Sequence, residues 1–158
     1  MVAAPPRPVE KPPPVLLTGF EPFGGEAVNP SRLAAQALHH RRIAGHRVVA
    51  AHLPTVFGAA LAQLDALLRQ YRPALVICVG QAGGRAALSL ERVALNLDDA
   101  RIADNAGQQP IDTPVVPGGP AAYFTTLPVK AMWATLQRQG VAAEVSQTAG
   151  TFVCNHVF

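Results

Sequence analysis

The order of apolar runs along the chain most strongly restricts what it can fold into. A short apolar run ending in glycine, VLLTG at 15–19, predicts a buried strand. The run ALVICVG at 74–80 has no polar alternation, which is typical of a strand buried on both faces. Between them lie two helical patterns, SRLAAQALHH and VFGAALAQLDALLRQ, with a further strand, HRVVAAHLP, separating those two. This alternation predicts a three-layer α/β sandwich, in which helices flank a mostly parallel, twisted sheet.

The second half of the chain continues the pattern. SLERVALNL alternates enough to predict one strand, VKAMWATLQRQG has apolar residues at helical spacing, and EVSQTAG leads toward a cysteine near the end. In sheets of this kind, functional sites gather at the carboxyl ends of strands. GFEPFGG and GQAGGR follow such ends, as does Cys154.

Length and composition fit a single domain. The chain has 158 residues, of which 49% are hydrophobic and 15% charged, a balance typical of globular α/β proteins. We expect a disordered proline-rich tail over residues 1–14 and the domain over 15–158. No apolar run approaches the roughly 20 residues of a membrane span, and no secretory signal is recognisable. Two cysteines cannot form a disulfide framework, so we expect a cytoplasmic location.

Charge gives little indication of a nucleic-acid partner. The formal net charge is +3, and the densest basic spot is Arg41-Arg42 beside two histidines. Nucleic-acid binding calls for a basic stripe with interleaved aromatics, which is absent, so this spot is interpreted as a solvated helix end. No group of His, Cys and Asp residues has metal-ligand spacing, and we expect neither a metal nor another cofactor.

Cys154 is the leading candidate for chemistry. It follows a small-residue turn at the predicted start of a helix, where the macrodipole would lower the pKa of its thiol toward the thiolate form. The alternative is a buried core cysteine, which is how we interpret Cys78. A nucleophile needs a base, but His156 lies only two residues away, and neighbours at that spacing point to different helix faces. The other histidines lie near a helix end, a turn or late in a strand.

Glu91 is the candidate carboxylate because it lies in an otherwise apolar alternation. In that position it can orient and charge-stabilise an imidazole, or it can be a surface residue paired with Arg92; the pattern leaves both open. The glycine loops also suggest phosphate or nucleoside binding, although neither matches the dinucleotide or P-loop spacing.

Four blocks together carry a family resemblance. VLLTGFEPFGGEAVNPS, ICVGQAGGRAALSLERVALNLDDARIADN, GGPAAYFTTLP and VSQTAGTFVCN resemble, in order, the pyrrolidone-carboxylate peptidases, or pyroglutamyl peptidases I, which are cytosolic cysteine peptidases. The resemblance implies removal of an N-terminal pyroglutamyl residue from peptides through a Cys-His-Glu arrangement. Cys154 aligns with the nucleophile and Glu91 with the acidic member. The family histidine lies on a later strand beyond the cysteine, so we expect the last strand and helices to be missing from this chain and the chain itself to be inactive.

The resemblance also implies a substrate slot. Pyroglutamate has no free α-amine, so its recognition requires an apolar slot with groups that match an amide. The family's slot aromatics map to Phe20, Phe23 and Phe152, and the residue that contacts the lactam maps to Gln81, whose amide can both donate and accept. Asn29 and Arg101 match residues at the site's edge, where we assign them supporting roles.

Two other functions remain open from the residues alone. One is a non-catalytic binder of pyroglutamyl or related lactam groups, which would use the slot without a base. The other is an α/β protein that binds phosphate or nucleosides through the glycine loops. Family members commonly assemble, so a homo-oligomer is possible.

Overall fold

A computed structural model describes residues 11–158 of the chain. The strands are β1 (Val15–Phe20), β2 (Arg42–Ile43), β3 (His46–Leu53), β4 (Leu75–Cys78), β5 (Leu88–Glu91), β6 (Val93–Leu95), β7 (Ala122–Phe124) and β8 (Ala143–Ser146). The helices are α1 (Pro30–Leu38), α2 (Ala59–Tyr71), α3 (Val129–Arg138) and α4 (Val153–Val157).

The main sheet has the order β2-β3-β1-β4. Strand β1 is parallel to both β3 and β4, with Val15 opposite Val48 on one side and Leu75 on the other. Only β2 runs antiparallel to its neighbour. The predicted mostly parallel sheet is therefore confirmed.

Helices cover both faces of this sheet, because successive side chains of a strand point to opposite faces. On one face, Leu16 and Phe20 of β1 join the core formed with α2 and α4. On the other face, Leu17 of β1 packs with Val48 of β3 and Ala35 of α1. The order helix, sheet, helices confirms the three-layer prediction.

The segment SLERVALNL is divided between two small sheets, where one strand was expected. Strand β5 is parallel to β8, whereas β6 is antiparallel to β7. The change occurs at Arg92, whose N–H donates to the Ser146 carbonyl (3.1 Å) and whose carbonyl accepts from Thr125 N–H (2.9 Å). Glu91 therefore ends its strand at a change of partner, and α3 packs against the β5–β8 pair.

Strand β4 differs most from expectation. The uninterrupted apolar run predicts burial on both faces, but in the described chain β4 pairs only with β1 and forms the edge of the main sheet. Leu75 is 39% exposed, and Cys78, expected in the core, is exposed as well. An uninterrupted apolar run shows that a strand can be buried on both faces. Because β4 has only one neighbouring strand in the described chain, part of its apolar surface stays exposed.

Residues 1–10 of the predicted tail lie outside the described residues. At its other end, the Pro14 carbonyl accepts a hydrogen bond from Ala74 N–H (2.9 Å), just before β4. From Lys11 onward, every helix is too short or too polar to cross a membrane.

Candidate active site

Cys154 is the second residue of α4, at the predicted helix start. Its side chain is half-buried and packs against the core that contains Phe20 and Val153. Gly80, which follows β4, lies directly beside it: a β-carbon at position 80 would be 2.5 Å from the Cys154 sulfur. The carboxyl end of β4 and the start of α4 thus meet at the thiol, and only glycine leaves room for it.

The thiol is not activated by its position, contrary to the expectation from the helix macrodipole. Burial, followed by the charges of Cys78 and Glu91, raises the pKa of Cys154 to about 11. Helix α4 has only five residues, so its dipole is short and does not offset the loss of hydration. At neutral pH the group is a thiol, and it needs a proton acceptor to become a nucleophile.

Glu91, at the end of β5, is paired with Arg85 and not with Arg92. Its Oε1 accepts from Arg85 Nη1 at 2.9 Å, and both side chains are partly exposed. Its Oε2 is shut off from solvent and has no donor within the described residues. Because the Glu91 charge acts on the Cys154 thiol, the structure brings the two predicted catalytic residues into one site.

His156 is held away from this chemistry. Its Nδ1 lies 2.7 Å from Asp98 Oδ2, and its Nε2 lies 3.0 Å from Gly58 N. Gly58 N–H can only donate to a lone pair, so Nε2 is unprotonated and the ring is the neutral tautomer that donates from Nδ1 to Asp98. The basic lone pair of His156 is therefore already used in a hydrogen bond to Gly58 N–H.

The other four histidines also lie within the described residues, and the groups that act on the Cys154 thiol include none of them. His39 Nδ1 accepts from Ala50 N–H (2.9 Å). Among the described residues, the buried Nδ1 of His52 has no hydrogen-bond partner, and burial, followed by the charges of Arg32 and His39, lowers the pKa of His52. His52 stands opposite Gly19 in the sheet register, beside α1 rather than α4.

Aromatic side chains pack in and around the core cluster against which Cys154 also packs. The rings of Phe23 and Phe152 are 5.7 Å apart, and Phe57 meets Phe152 edge to face at 5.4 Å. Phe20 is 2% exposed and lines the core beneath Gly80. Phe57 lies within the predicted helical segment VFGAALAQLDALLRQ, but it precedes α2 and forms part of this aromatic group.

Gln81 follows Gly80 and is half-buried. Across residues 11–158, no hydrogen bond engages its side-chain amide. A side-chain amide without a partner, on the residue after the glycine that meets the thiol, is suited to receive a planar amide group.

Asn29 and Arg101 are placed differently from each other. Asn29 is buried and caps α1: its Oδ1 accepts from Ser31 N–H (3.0 Å) and Ser31 Oγ (2.7 Å), while its Nδ2 donates to the Glu21 carbonyl (3.0 Å). These hydrogen bonds show how the Asn29 side chain closes the loop after β1. Arg101 is exposed, and no hydrogen bond or ion pair within the described chain holds its guanidinium.

Several supporting residues were not predicted. Asn155 accepts from Leu95 N–H (2.8 Å) and donates to the carbonyls of Leu95 and Leu97 (both 2.9 Å), so it fastens α4 to the segment after β6. Asp104 accepts from Phe57 N–H (2.9 Å) and thereby fixes the aromatic group. The available signals were polar residues in unusual places: an asparagine directly after the cysteine and an aspartate in a loop rich in small residues.

Comparison with known proteins identifies similar chains. Residues 14–158 match the profile of the family described as pyroglutamyl peptidase. The pyrrolidone-carboxylate peptidase of Gloeobacter violaceus is 63% identical over 144 residues, which cover 91% of this chain and 70% of the relative. That of Cupriavidus necator is 65% identical over 91% of this chain and 67% of its own length.

Solved structures give the same result. Pyroglutamyl peptidase I from Bacillus amyloliquefaciens superposes with a TM-score of 0.91 at 50% identity, covering 93% of this chain and 70% of that one. The pyrrolidone carboxyl peptidase of the hyperthermophile Pyrococcus furiosus superposes with a TM-score of 0.89 at 47% identity, covering 90% and 69%.

Proposed function

This chain belongs to the pyroglutamyl peptidase family, and from that premise we propose that Cys154 and Glu91 are the nucleophile and the acidic residue of a cysteine peptidase that removes N-terminal pyroglutamate. The observation that carries the proposal is that the Cys154 thiol meets Gly80, the residue before Gln81, whose side-chain amide is unengaged within residues 11–158. Phe152 packs on the same core cluster as the thiol, and the charge of Glu91 acts on that thiol. No other part of the described chain combines a nucleophile with these groups.

The reaction begins with removal of the thiol proton by an imidazole. The thiolate attacks the pyroglutamyl carbonyl carbon, the carbon–nitrogen bond breaks, and the imidazolium gives its proton to the departing amine. Water then attacks the thioester, which releases pyroglutamate and returns the proton to the sulfur. Because the pKa of Cys154 is about 11, the first proton transfer determines whether the reaction starts at neutral pH.

We infer that these 158 residues do not supply the imidazole and are inactive as a peptidase. His156 is the histidine nearest to Cys154 in sequence, but Asp98 and Gly58 N–H occupy both of its ring nitrogens. The Glu91 Oε2 atom is a buried acceptor without a donor in the described part of the chain, and an imidazole N–H would supply that donor. The family histidine, which lies beyond the cysteine in these enzymes, would supply the N–H donor for Glu91 Oε2.

The slot explains selectivity for the lactam. Phe23 and Phe152 provide apolar walls for the five-membered ring, and the Gln81 amide accepts from the ring N–H and donates to the ring carbonyl. Proline has the same ring size but no ring carbonyl, so it would leave the buried amide donor unpaired, and such a site rejects it strongly. Asn29 and Arg101 act in support, Asn29 by fixing the loop that carries Phe23.

A pyroglutamyl chloromethyl ketone tests the site without requiring turnover. At about pH 10, where part of Cys154 is thiolate, we expect this reagent to alkylate Cys154 faster than the prolyl analogue, and Cys154→Ala to remain unlabelled at the site, as read by peptide mass spectrometry. Equal rates for the two reagents would contradict the lactam slot.

A fluorogenic pyroglutamyl amide tests the missing base. We expect no hydrolysis by the folded 158-residue chain. Hydrolysis that disappears in Cys154→Ala would show that a histidine among these residues is the base and would overturn that part of the proposal. Labelling without hydrolysis is also what a non-catalytic lactam binder would give, and adding the relatives' C-terminal segment separates the two, since only the peptidase gains turnover.

Phosphate or nucleoside binding at the GQAGGR loop loses support. Gly80 and Gln81 are followed by β5 and not by a helix, so the loop offers no helix N-terminus for a phosphate.

We also propose that the protein is cytosolic, in keeping with two free cysteines, and that it forms homo-oligomers. Light scattering over a concentration series tests the latter, and a constant monomer mass would contradict it.

A further inference from the structure

The loop that carries Gln81 also carries the ionic partner of Glu91. This loop leaves β4 at Gly80 and turns at Gly84, whose φ of 81° is in the left-handed region. Directly after the turn, Arg85 Nη1 donates to Glu91 Oε1 at 2.9 Å. One short loop therefore touches the thiol, offers the free amide and holds the carboxylate.

The two oxygens of Glu91 are in different situations. Oε1 is bound to Arg85, and this guanidinium is the only donor to the carboxylate within residues 11–158. Oε2 is buried and unpartnered. A buried acceptor without a donor is costly, so a carboxylate that could rotate freely would turn this oxygen toward water. Something must keep it in place, and Arg85 is the group in position to do so.

The pair is too exposed to contribute much to stability. The side chain of Arg85 is 35% exposed and that of Glu91 26% exposed, and ion pairs of this kind add little to the free energy of unfolding. The consequence of the contact is geometric. We propose that Arg85 is a positioning residue that holds Oε1 of Glu91 and thereby aims Oε2 at the imidazole of the reaction.

This inference rests on the proposed function of Glu91, but its test needs no turnover. From the elements packed around Cys154, the titratable groups that act on its thiol are Cys78 of β4 and Glu91 of β5. The thiol therefore reports where the Glu91 carboxylate is. If Arg85 holds the carboxylate in place, releasing it has the same effect on the thiol as removing its charge.

The experiment is the pH profile of Cys154 alkylation by iodoacetamide between about pH 8 and pH 11.5, with peptide mass spectrometry separating Cys154 from Cys78 and circular dichroism verifying the fold. We expect Glu91→Gln to lower the midpoint by on the order of half a pH unit. Arg85→Gln lowers it in the same direction by a similar amount, and Arg85→Lys, which keeps a charge and a donor, gives a smaller shift.

Arg92→Gln is the matched control. It removes an equal charge from the residue next to Glu91, but in the described chain the ion pair of Glu91 is with Arg85 and not with Arg92. Its midpoint stays at the parent value. If Glu91→Gln shifts the midpoint and Arg85→Gln does not, or shifts it upward, the role of Arg85 is overturned while the proposed function stands. If Glu91→Gln itself shifts nothing, the contact between Glu91 and Cys154 fails, and the proposed site and the role of Arg85 fail together.

Discussion

Gly80 lies so close to Cys154 that a β-carbon at position 80 would be 2.5 Å from the cysteine sulfur. Real β-carbons do not approach another atom so closely, and the sulfur sits on a short side chain near the helix backbone, so it has little freedom to retreat. The approach joins the end of β4 to the start of α4 at the reacting atom.

Gly80→Ala should therefore displace the thiol. We expect labelling of Cys154 by the pyroglutamyl chloromethyl ketone to fall at least tenfold, since small displacements of a reacting atom are costly. Gly83→Ala in the same loop is the control, because a β-carbon there has open space around it. Equal labelling of the two variants would mean that the site tolerates the shift.

Stability should depend on pH through Cys154. The pKa of the thiol is about 11 in the folded chain against an ordinary value of 9.0, so the folded state binds the proton more tightly. The stability from this group is fully present below about pH 9 and is lost as pH rises through about 11. The loss approaches on the order of 2 kcal/mol above that range. Urea unfolding of the parent and Cys154→Ala at pH 7, 9 and 10.5 measures it; parallel declines would contradict the prediction.

Asp98 should matter for stability as the acceptor for His156. Asp98→Ala leaves the buried Nδ1–H of His156 without a partner, at an expected cost of about 1–3 kcal/mol in the free energy of unfolding. Asp98→Asn keeps an acceptor oxygen of the same shape and should cost less. Urea denaturation at pH 7 compares them, and if Asn proved as damaging as Ala, the charge of Asp98 would matter more than its hydrogen bond.

Gln81 should determine the preference for pyroglutamate over proline. Gln81→Ala removes the amide proposed to pair with the lactam, so we expect the ratio of pyroglutamyl to prolyl labelling rates at Cys154 to fall about tenfold or more. Gln70→Ala, an exposed position on α2, is the control and should keep the parent ratio. A preserved ratio in Gln81→Ala would assign selectivity to the aromatic walls alone.

The architecture could be predicted from the sequence because its strands and helices differ in period. VLLTG and HRVVAAHLP became neighbouring parallel strands, and the helix over SRLAAQALHH ends within a residue or two of its prediction. The division of SLERVALNL was not predictable, since apolar alternation continues through Arg92 while the pairing partner changes there. The exposure of β4 depends on which strand stands beside it, and local pattern does not encode that.

The candidate site could be derived from the sequence only in part. Cys154 and Glu91 stand out in their local segments, and the family resemblance added the aromatic residues and Gln81. The raised pKa of Cys154 could not be foreseen, because it depends on burial and on two residues, Cys78 and Glu91, that are distant in sequence. The ion pair between Arg85 and Glu91 was not predicted, because Arg92 is nearer to Glu91 in sequence.

The two residues after the nucleophile both reach back to one segment: Asn155 binds Leu95 and Leu97, and His156 binds Asp98. The position of the short helix α4 is therefore fixed by its hydrogen bonds to residues 95–98. For anyone recombining relatives into chimeric enzymes, residues 95–98 and 153–157 form a single cassette, although more than fifty positions separate them. A crossover placed between the two segments would combine an α4 from one relative with residues 95–98 from another. The contacts that position the Cys154 thiol would then be mismatched even if every proposed catalytic residue was retained.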